Sequence, residues 1–304
     1  MRGFGLELIQ IGRGRFTANG LQVQAGKALL SNVQFGPVVV QSWTAPMRST
    51  TIAVKACNAG ALWGGFPLKR SDALLIGPAA KVEIVSQPEF KFVAATFPQR
   101  DFQRVAESCG FEPPIGGSGT TVIRLPDLEA ANRLRGAIEA SLARALTHPS
   151  VQPAAEPGPR DNLLRLIVSI AATGLRINPH DRNLGRWRAV EHAVAAMRTQ
   201  PPDTLSVSEL CRAAGVSERA LRKGFVERFT LAPAGFLKAF RLNGARKDLS
   251  RLASPELRIT DIANKWGFWH LGQFAGDYRV WFGELPSQTL KQGIAGVEKA
   301  SPAR

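Results

Sequence analysis

The sequence predicts an α+β chain, with a β-rich N-terminal half followed by an all-helical C-terminal half. Three observations carry that expectation. Short apolar runs punctuated by Gly and Pro crowd roughly the first 125 residues, as closely spaced strands do. From Asp127 the apolar residues recur at helical spacing. From Arg186 onward no strand pattern is visible, and helix start and stop signals succeed one another.

In chain order, Val38–Val40, Thr51–Val54, Ala73–Ile76, Lys81–Val85 and Lys91–Phe97 read as strands of a sandwich or small barrel. Gly116-Gly117-Ser118-Gly119 reads as a loop, because no Gly-Lys-Ser/Thr follows to cradle a phosphate. Leu128, Ala131, Leu134, Ile138, Leu142 and Ala145 share one face of a helix over residues 127–146. That face is the leading candidate for dimerisation, although it could equally cover the sheet. Residues 147–160 hold four prolines and read as a loop, and Asn162–Leu175 reads as a second apolar helix. The polar stretch that follows marks the expected boundary. The expected organisation is a β-rich domain at 1–175, a linker at 176–186, a helical domain at 187–292 and a flexible tail at 293–304.

At 304 residues the chain has room for two cores, and 44% hydrophobic with 21% charged residues is a globular composition. No apolar run approaches the length of a membrane span, and the N-terminus lacks a secretory pattern, so a cytoplasmic protein is expected. Cys57, Cys109 and Cys211 are far apart with no CxxC pair, which predicts neither disulfide nor metal site. No histidine precedes His148, and no GxSxG or HExxH occurs, so neither an enzyme nor a cofactor is expected. The net charge of +15 and pI near 10.7 point to a polyanionic partner. The excess is concentrated at 205–252, with ten Lys/Arg against four Asp/Glu, a net +6.

The helical half divides into helices near Trp187–Thr199, Val207–Ala214, Glu218–Phe229, Pro233–Arg251, Ile259–Trp266, Leu271–Phe282 and Pro286–Gln292. Two helix–turn–helix units stand out. In the first, Ser206-Val-Ser-Glu209 is a capping box, Gly215 suits the turn, and Ser217 caps the next helix. That helix presents Arg219, Arg222 and Lys223 at spacings of three and four, a face suited to a major groove. In the second, Ile259, Ile262, Ala263 and Trp266 face Phe274 and Tyr278 across Gly267. The intervening helix is about 28 Å long, against about 34 Å between successive groove faces on one side of the duplex.

Leu221…Phe225…Phe229, Pro233, Ile262-Ala263…Gly267-Phe268…Phe274…Tyr278-Arg279…Phe282-Gly283…Pro286-Ser287 resembles the C-terminal domain of AraC/XylS-type transcriptional regulators over residues 187–292. The Phe268–Phe274 variant is similar to the ethanolamine-operon regulator subgroup. The resemblance implies a double helix–turn–helix domain that binds double-stranded DNA. It also implies an N-terminal cupin-like effector-sensing and dimerisation domain with two packing helices. The function implied is a ligand-responsive transcriptional activator, a homodimer that works with RNA polymerase and a small-molecule effector whose binding residues are unknown. The alternative is a ligand-independent regulator whose N-terminal domain only dimerises. Mapped onto this chain, the base-reading residues are Arg219, Arg222 and Lys223. Ser217, His270, Gln273 and Arg279 are assigned to backbone positioning. The corresponding positions of the second unit, Leu271, Gly272, Ala275 and Gly276, hold almost no hydrogen-bonding side chains, so unequal roles are expected. Arg258 replaces the capping serine of many family members.

Overall fold

A computed structural model describes residues 6–111, 119–147, 159–177, 184–251 and 256–300. Most of the Gly116–Gly119 loop, most of the expected linker and the last four residues lie outside the described residues. The strands are β1 (Glu7–Gln10), β2 (Ala18–Ala25), β3 (Ala28–Phe35), β4 (Val39–Thr44), β5 (Ser49–Lys55) and β6 (Ala61–Trp63). They continue with β7 (Phe66–Pro67), β8 (Asp72–Ile76), β9 (Lys81–Ser86), β10 (Phe90–Pro98), β11 (Thr120–Arg124) and β12 (Leu175–Ile177). Helices α1 (Gln99–Ser108), α2 (Leu128–Thr147) and α3 (Pro159–Ala172) accompany them. The C-terminal helices are α4 (Leu184–Thr199), α5 (Val207–Ala214), α6 (Glu218–Phe229), α7 (Pro233–Arg251), α8 (Ile259–Lys265), α9 (Leu271–Phe282) and α10 (Pro286–Ala300). The protein is thus α+β, as expected.

The chain divides into two compact units. One contains Thr17–Gly36 and Val40–Pro179 with the chain start; the other contains His180–Arg304 together with Ile9–Phe16 and Pro37–Val39. The strands form a five-stranded sheet, β1-β4-β9-β6-β7, and, within the first unit, a seven-stranded sheet, β12-β11-β8-β5-β10-β3-β2. β10 lies between β3 and β5, antiparallel to both. Gly26, at φ 60°, turns β2 into β3, with Ala25 opposite Ala28. Alternation puts Leu30, Ile52, Val54, Leu75 and Val93 on one face, which is buried in one core with α1, α2 and α3.

That face decides the role of α2. Leu134 and Ile138 are fully buried and Leu142 nearly so, within the core that includes the sheet. An apolar sheet face must be covered, so this helix face is interior and the dimerisation expected of it is corrected. Leu128, at the start of α2, stays exposed. Three helices pack in this unit rather than two. The additional α1 buries Phe102, Val105 and Ala106 at helical spacing within an otherwise polar stretch. Strands β1 to β3, β6, β7, β11 and β12 also go beyond the expected set. The second apolar helix ends at Ala172 rather than at residue 175, and Gly174, where an added Cβ would meet Ile123, lies in the turn that follows. The chain then pairs with β11 as β12. In the second unit α10 runs on to Ala300, so the expected tail is helical to that point. Among the described residues no helix is long and apolar enough to cross a membrane.

Ile138→Ala should lower unfolding free energy by about 2–5 kcal/mol, the usual cost of a core cavity. Urea unfolding at two protein concentrations checks this. A midpoint that moves with concentration in the wild type and not in the variant would return this face to an intermolecular role.

Candidate DNA-binding interface

The first helix–turn–helix is built by short-range chemistry. The Ser206 side chain accepts from the Glu209 amide at 3.3 Å, and the Ser206 amide donates to Glu209 Oε2 at 2.7 Å, completing the capping box. At the other end of α5, Gly215 adopts φ 66°. The amides of Gly215 and Val216 reach the carbonyls of Arg212 and Cys211, the paired bonds of a Schellman close. Ser217 Oγ then accepts from the Ala220 amide and starts α6. The sequence assigns Ser217 to positioning on DNA; in the structure it caps the helix that carries the three cations.

α6 is strongly two-sided. Leu221, Gly224, Phe225, Arg228 and Phe229 are buried, while Arg219, Arg222 and Lys223 are exposed on the other side. Phe225, Phe229 and Phe236 of α7 form one aromatic cluster, with centroids 4.4–5.5 Å apart. At Gly224 an added Cβ would meet Val190 Cγ2 at 2.7 Å, so α6 and α4 touch at backbone distance. Glu227 is held by Arg186 at 2.7 Å, which keeps that carboxylate from partnering the three cations.

The second unit has the same turn and poorer caps. Gly267 sits at φ 73°, and the amides of Gly267 and Phe268 bond to the carbonyls of Asn264 and Ala263. Neither Arg258 before α8 nor His270 before α9 makes a side-chain cap bond. α9 buries Phe274, Tyr278 and Phe282. Its exposed side carries Leu271, Gly272, Gln273, Gly276, Arg279 and Val280, and a Cβ at either glycine would meet nothing within 4 Å. Tyr278 is fully buried, and burial pushes its hydroxyl pKa well up. Its hydroxyl lies 2.8 Å from Thr289 Oγ1, which donates to Glu284 at 2.8 Å, so Tyr278 is the donor of the first bond. Glu284 in turn holds Arg246 at 2.9 Å, and the Arg246 guanidinium lies over the Phe282 ring.

The expected positioning residues do not form one group. His270 and Gln273 line a concavity of about 480 Å³ together with Lys238 and Arg241 of α7 and Leu205, Ser206 and Val207 at the start of α5. Arg279 is not among its lining residues. Several cations of the basic segment are structural. Arg241 donates to the Pro202 and Leu205 carbonyls at 2.9 and 2.7 Å, and burial lowers its pKa. Lys238 pairs with Asp277 at 2.7 Å. Arg228 is buried beside Glu191. Trp269, 65% exposed two residues before α9 begins, is a surface residue that sequence reasoning misses. Its position marks it as outward only once Phe268 is known to pack on Phe274.

Sequence reasoning also misses the short N-terminal segment of this unit. The Gln10 side-chain nitrogen lies 2.7–2.9 Å from the carbonyl oxygens of Gly12, Gly14 and Trp281, which share its two N–H donors. The Gln10 amide donates to Asn243 Oδ1, and its carbonyl accepts from Asn243 Nδ2 and Trp281 Nε1. Segment 9–16 therefore ties α7 to the C-terminal end of α9. No local sequence signal marks a contact across more than 230 residues.

Comparison with known proteins agrees with this geometry. The Helix-turn-helix domain family matches residues 210–292. A probable thc operon regulatory protein of Rhodococcus erythropolis is 39% identical over 102 residues, covering 34% of this chain and 31% of that protein. The chain thus aligns with about a third of that relative's length. XylDLEGF operon transcriptional activator 3 of Pseudomonas putida is 25% identical over 242 residues, covering 76% of this chain and 69% of that protein. A crystal structure of a probable AraC family transcriptional regulator from Rhodopseudomonas palustris is 34% identical over 34% of this chain and 96% of its own, with a TM-score of 0.32. With two Gly-turned helix–turn–helix units on one spacer helix, the C-terminal part of this chain is an AraC-type helix–turn–helix domain, similar to those of these transcriptional regulators.

Proposed function

We propose that the protein is a cytoplasmic, ligand-responsive transcriptional activator in which α6 reads base edges and α9 chiefly holds the phosphate backbone. The observation that carries this reading is the α6 surface. Arg219, Arg222 and Lys223 project from a helix whose opposite side is locked into an aromatic core. Arginine can engage guanine O6 and N7 together, whereas the glycines of α9 offer no side chain to a base. His270, Gln273 and Arg279 are left to contact phosphate. The activator sense follows the name of the Pseudomonas putida relative. The N-terminal unit is read as a cupin-like effector-sensing and dimerising domain. A homodimer would present paired sites to DNA and RNA polymerase, with its interface elsewhere than the buried face of α2.

Arg222→Ala should weaken operator binding by about 1–3 kcal/mol and relax preference at one base position. Leu271→Ala and Ala275→Ser should leave preference nearly unchanged. Selection from a randomised operator library at one salt concentration compares the three. Preference redirected by the α9 variants but not by Arg222→Ala would reverse the assignment.

Wild-type affinity should fall with a slope of log K against log salt of about −4 or steeper. Arg279→Ala should weaken all sequences alike and flatten that slope by about one unit. A salt titration in which wild type and variant run parallel would remove Arg279 from the phosphate contacts.

A further inference from the structure

Residues 9–16 lie far outside the matched helical region, yet they belong to the same compact unit as the two helix–turn–helix motifs. Their sequence is Ile9-Gln-Ile-Gly-Arg-Gly-Arg-Phe16. Exposure alternates along it: Gly12, Gly14 and Phe16 are half-buried, while Arg13 and Arg15 are exposed. One side of the segment rests on the fold, and the other carries two cations.

Close backbone contacts hold the segment in place. The amides of Ile11 and Gly12 both reach the Val38 carbonyl, at 2.9 and 3.0 Å, and a Cβ at Gly12 would meet Val38 at 2.8 Å. The Gly14 amide donates to the Trp281 carbonyl of α9 at 2.9 Å. Gly14 does so at φ 109°, a conformation that side chains disfavour, so the glycine between the two arginines lets the chain close on α9. The backbone of Arg15 lies against Gly283, the C-cap of α9, where an added Cβ would stand 3.4 Å from the Arg15 amide nitrogen.

Three exposed arginines therefore gather at one end of α9: Arg13 and Arg15 from the segment, and Arg279 from the last turn of the helix. Among the described residues none of the three makes a side-chain hydrogen bond or an ion pair. Glu284, the carboxylate next to Gly283, is already held by Arg246 at 2.9 Å and accepts from Thr289. A helix C-terminus favours nearby positive charge, but it does not occupy the five N–H donors of each guanidinium. Because the backbone beneath them is fixed, these side chains lose little further order on meeting a partner.

We infer that Arg13 and Arg15 form a second contact to the phosphate backbone of duplex DNA, beside Arg279 and carried by chain from outside the helical region. Guanidinium groups on a fixed backbone grip phosphate oxygens without reading a base. The contact rests on the assignment of Arg279 to phosphate above.

The test uses the full chain and two duplexes, one recovered by the randomised-library selection and one of the same composition with its sequence scrambled, each titrated over a salt series. Arg13→Gln/Arg15→Gln should bind both duplexes more weakly by the same factor, about tenfold or more at moderate salt, and flatten the slope of log K against log salt by about two units. Arg13→Lys/Arg15→Lys keeps both charges and should retain most of that slope. The glutamine variant should melt at the wild-type temperature, because exposed positions away from caps and cores change stability little. An unchanged slope in the glutamine variant, while Arg279→Ala still flattens it, would overturn the contact and leave the α9 assignment standing. Slopes unchanged in both would overturn the two together. Loss confined to the selected duplex, or equal loss in the lysine variant, would also overturn a phosphate contact. A lower melting temperature with the slope unchanged would assign the pair to stabilising the helix end instead.

Discussion

Helix α7 packs into both halves of the DNA-binding unit, and the geometry of the interface depends on that shared helix. Its Phe236 joins the aromatic cluster of the first helix–turn–helix, while Leu242, Ala245 and Leu249 lie in the core of the second. Both units close on it at short range. At Gly244 the Trp266 indole occupies the space a Cβ would need, and Trp266 Nε1 is held by Asp248 of the same helix at 2.9 Å. A rigid rod packed on both sides transmits a fixed spacing between α6 and α9, because close-packed cores resist gradual deformation. Segment 9–16, bonded to Asn243 and Trp281, adds a second tie between α7 and α9.

The two reading helices are anchored differently on this common rod. α6 begins from a serine cap and hides only apolar groups and Arg228. α9 begins without a side-chain cap bond and is fastened at its far end by the Tyr278–Thr289–Glu284–Arg246 chain. A buried hydroxyl and carboxylate are tolerated there because each has a partner. The cost of two exposed glycines in α9, roughly 1 kcal/mol each relative to alanine, is met by this fastening rather than by helix propensity.

Charge by itself is a poor guide to where DNA contact is made. The basic segment carries a net +6, yet Arg228, Lys238, Arg241 and Arg246 are engaged with acids or carbonyls of the fold. A guanidinium that donates to two backbone carbonyls, as Arg241 does, is held in place by the fold and has only its remaining N–H groups to offer a phosphate. The exposed cations of α6 are distinguished by position, not by number.

Elements whose cause is local are written in the chain itself. Capping serines, left-handed glycines and apolar spacing lie within one or two turns of the residues they govern, so α5, α6, α8 and α9 and both turns are legible in the amino-acid order. The closely spaced strands of the first unit are legible as a class but not individually. β2 and β3 escape a search for apolar runs, although Leu21-Gln-Val-Gln-Ala25 alternates, and α1 is hidden within a polar stretch. The partner that each amphipathic or charged side chain receives is a matter of the folded arrangement. Folding turns the apolar face of α2 inward and binds Gln10 to Asn243. Those outcomes depend on residues dozens to hundreds of positions away, and no periodicity in the chain encodes such a distance.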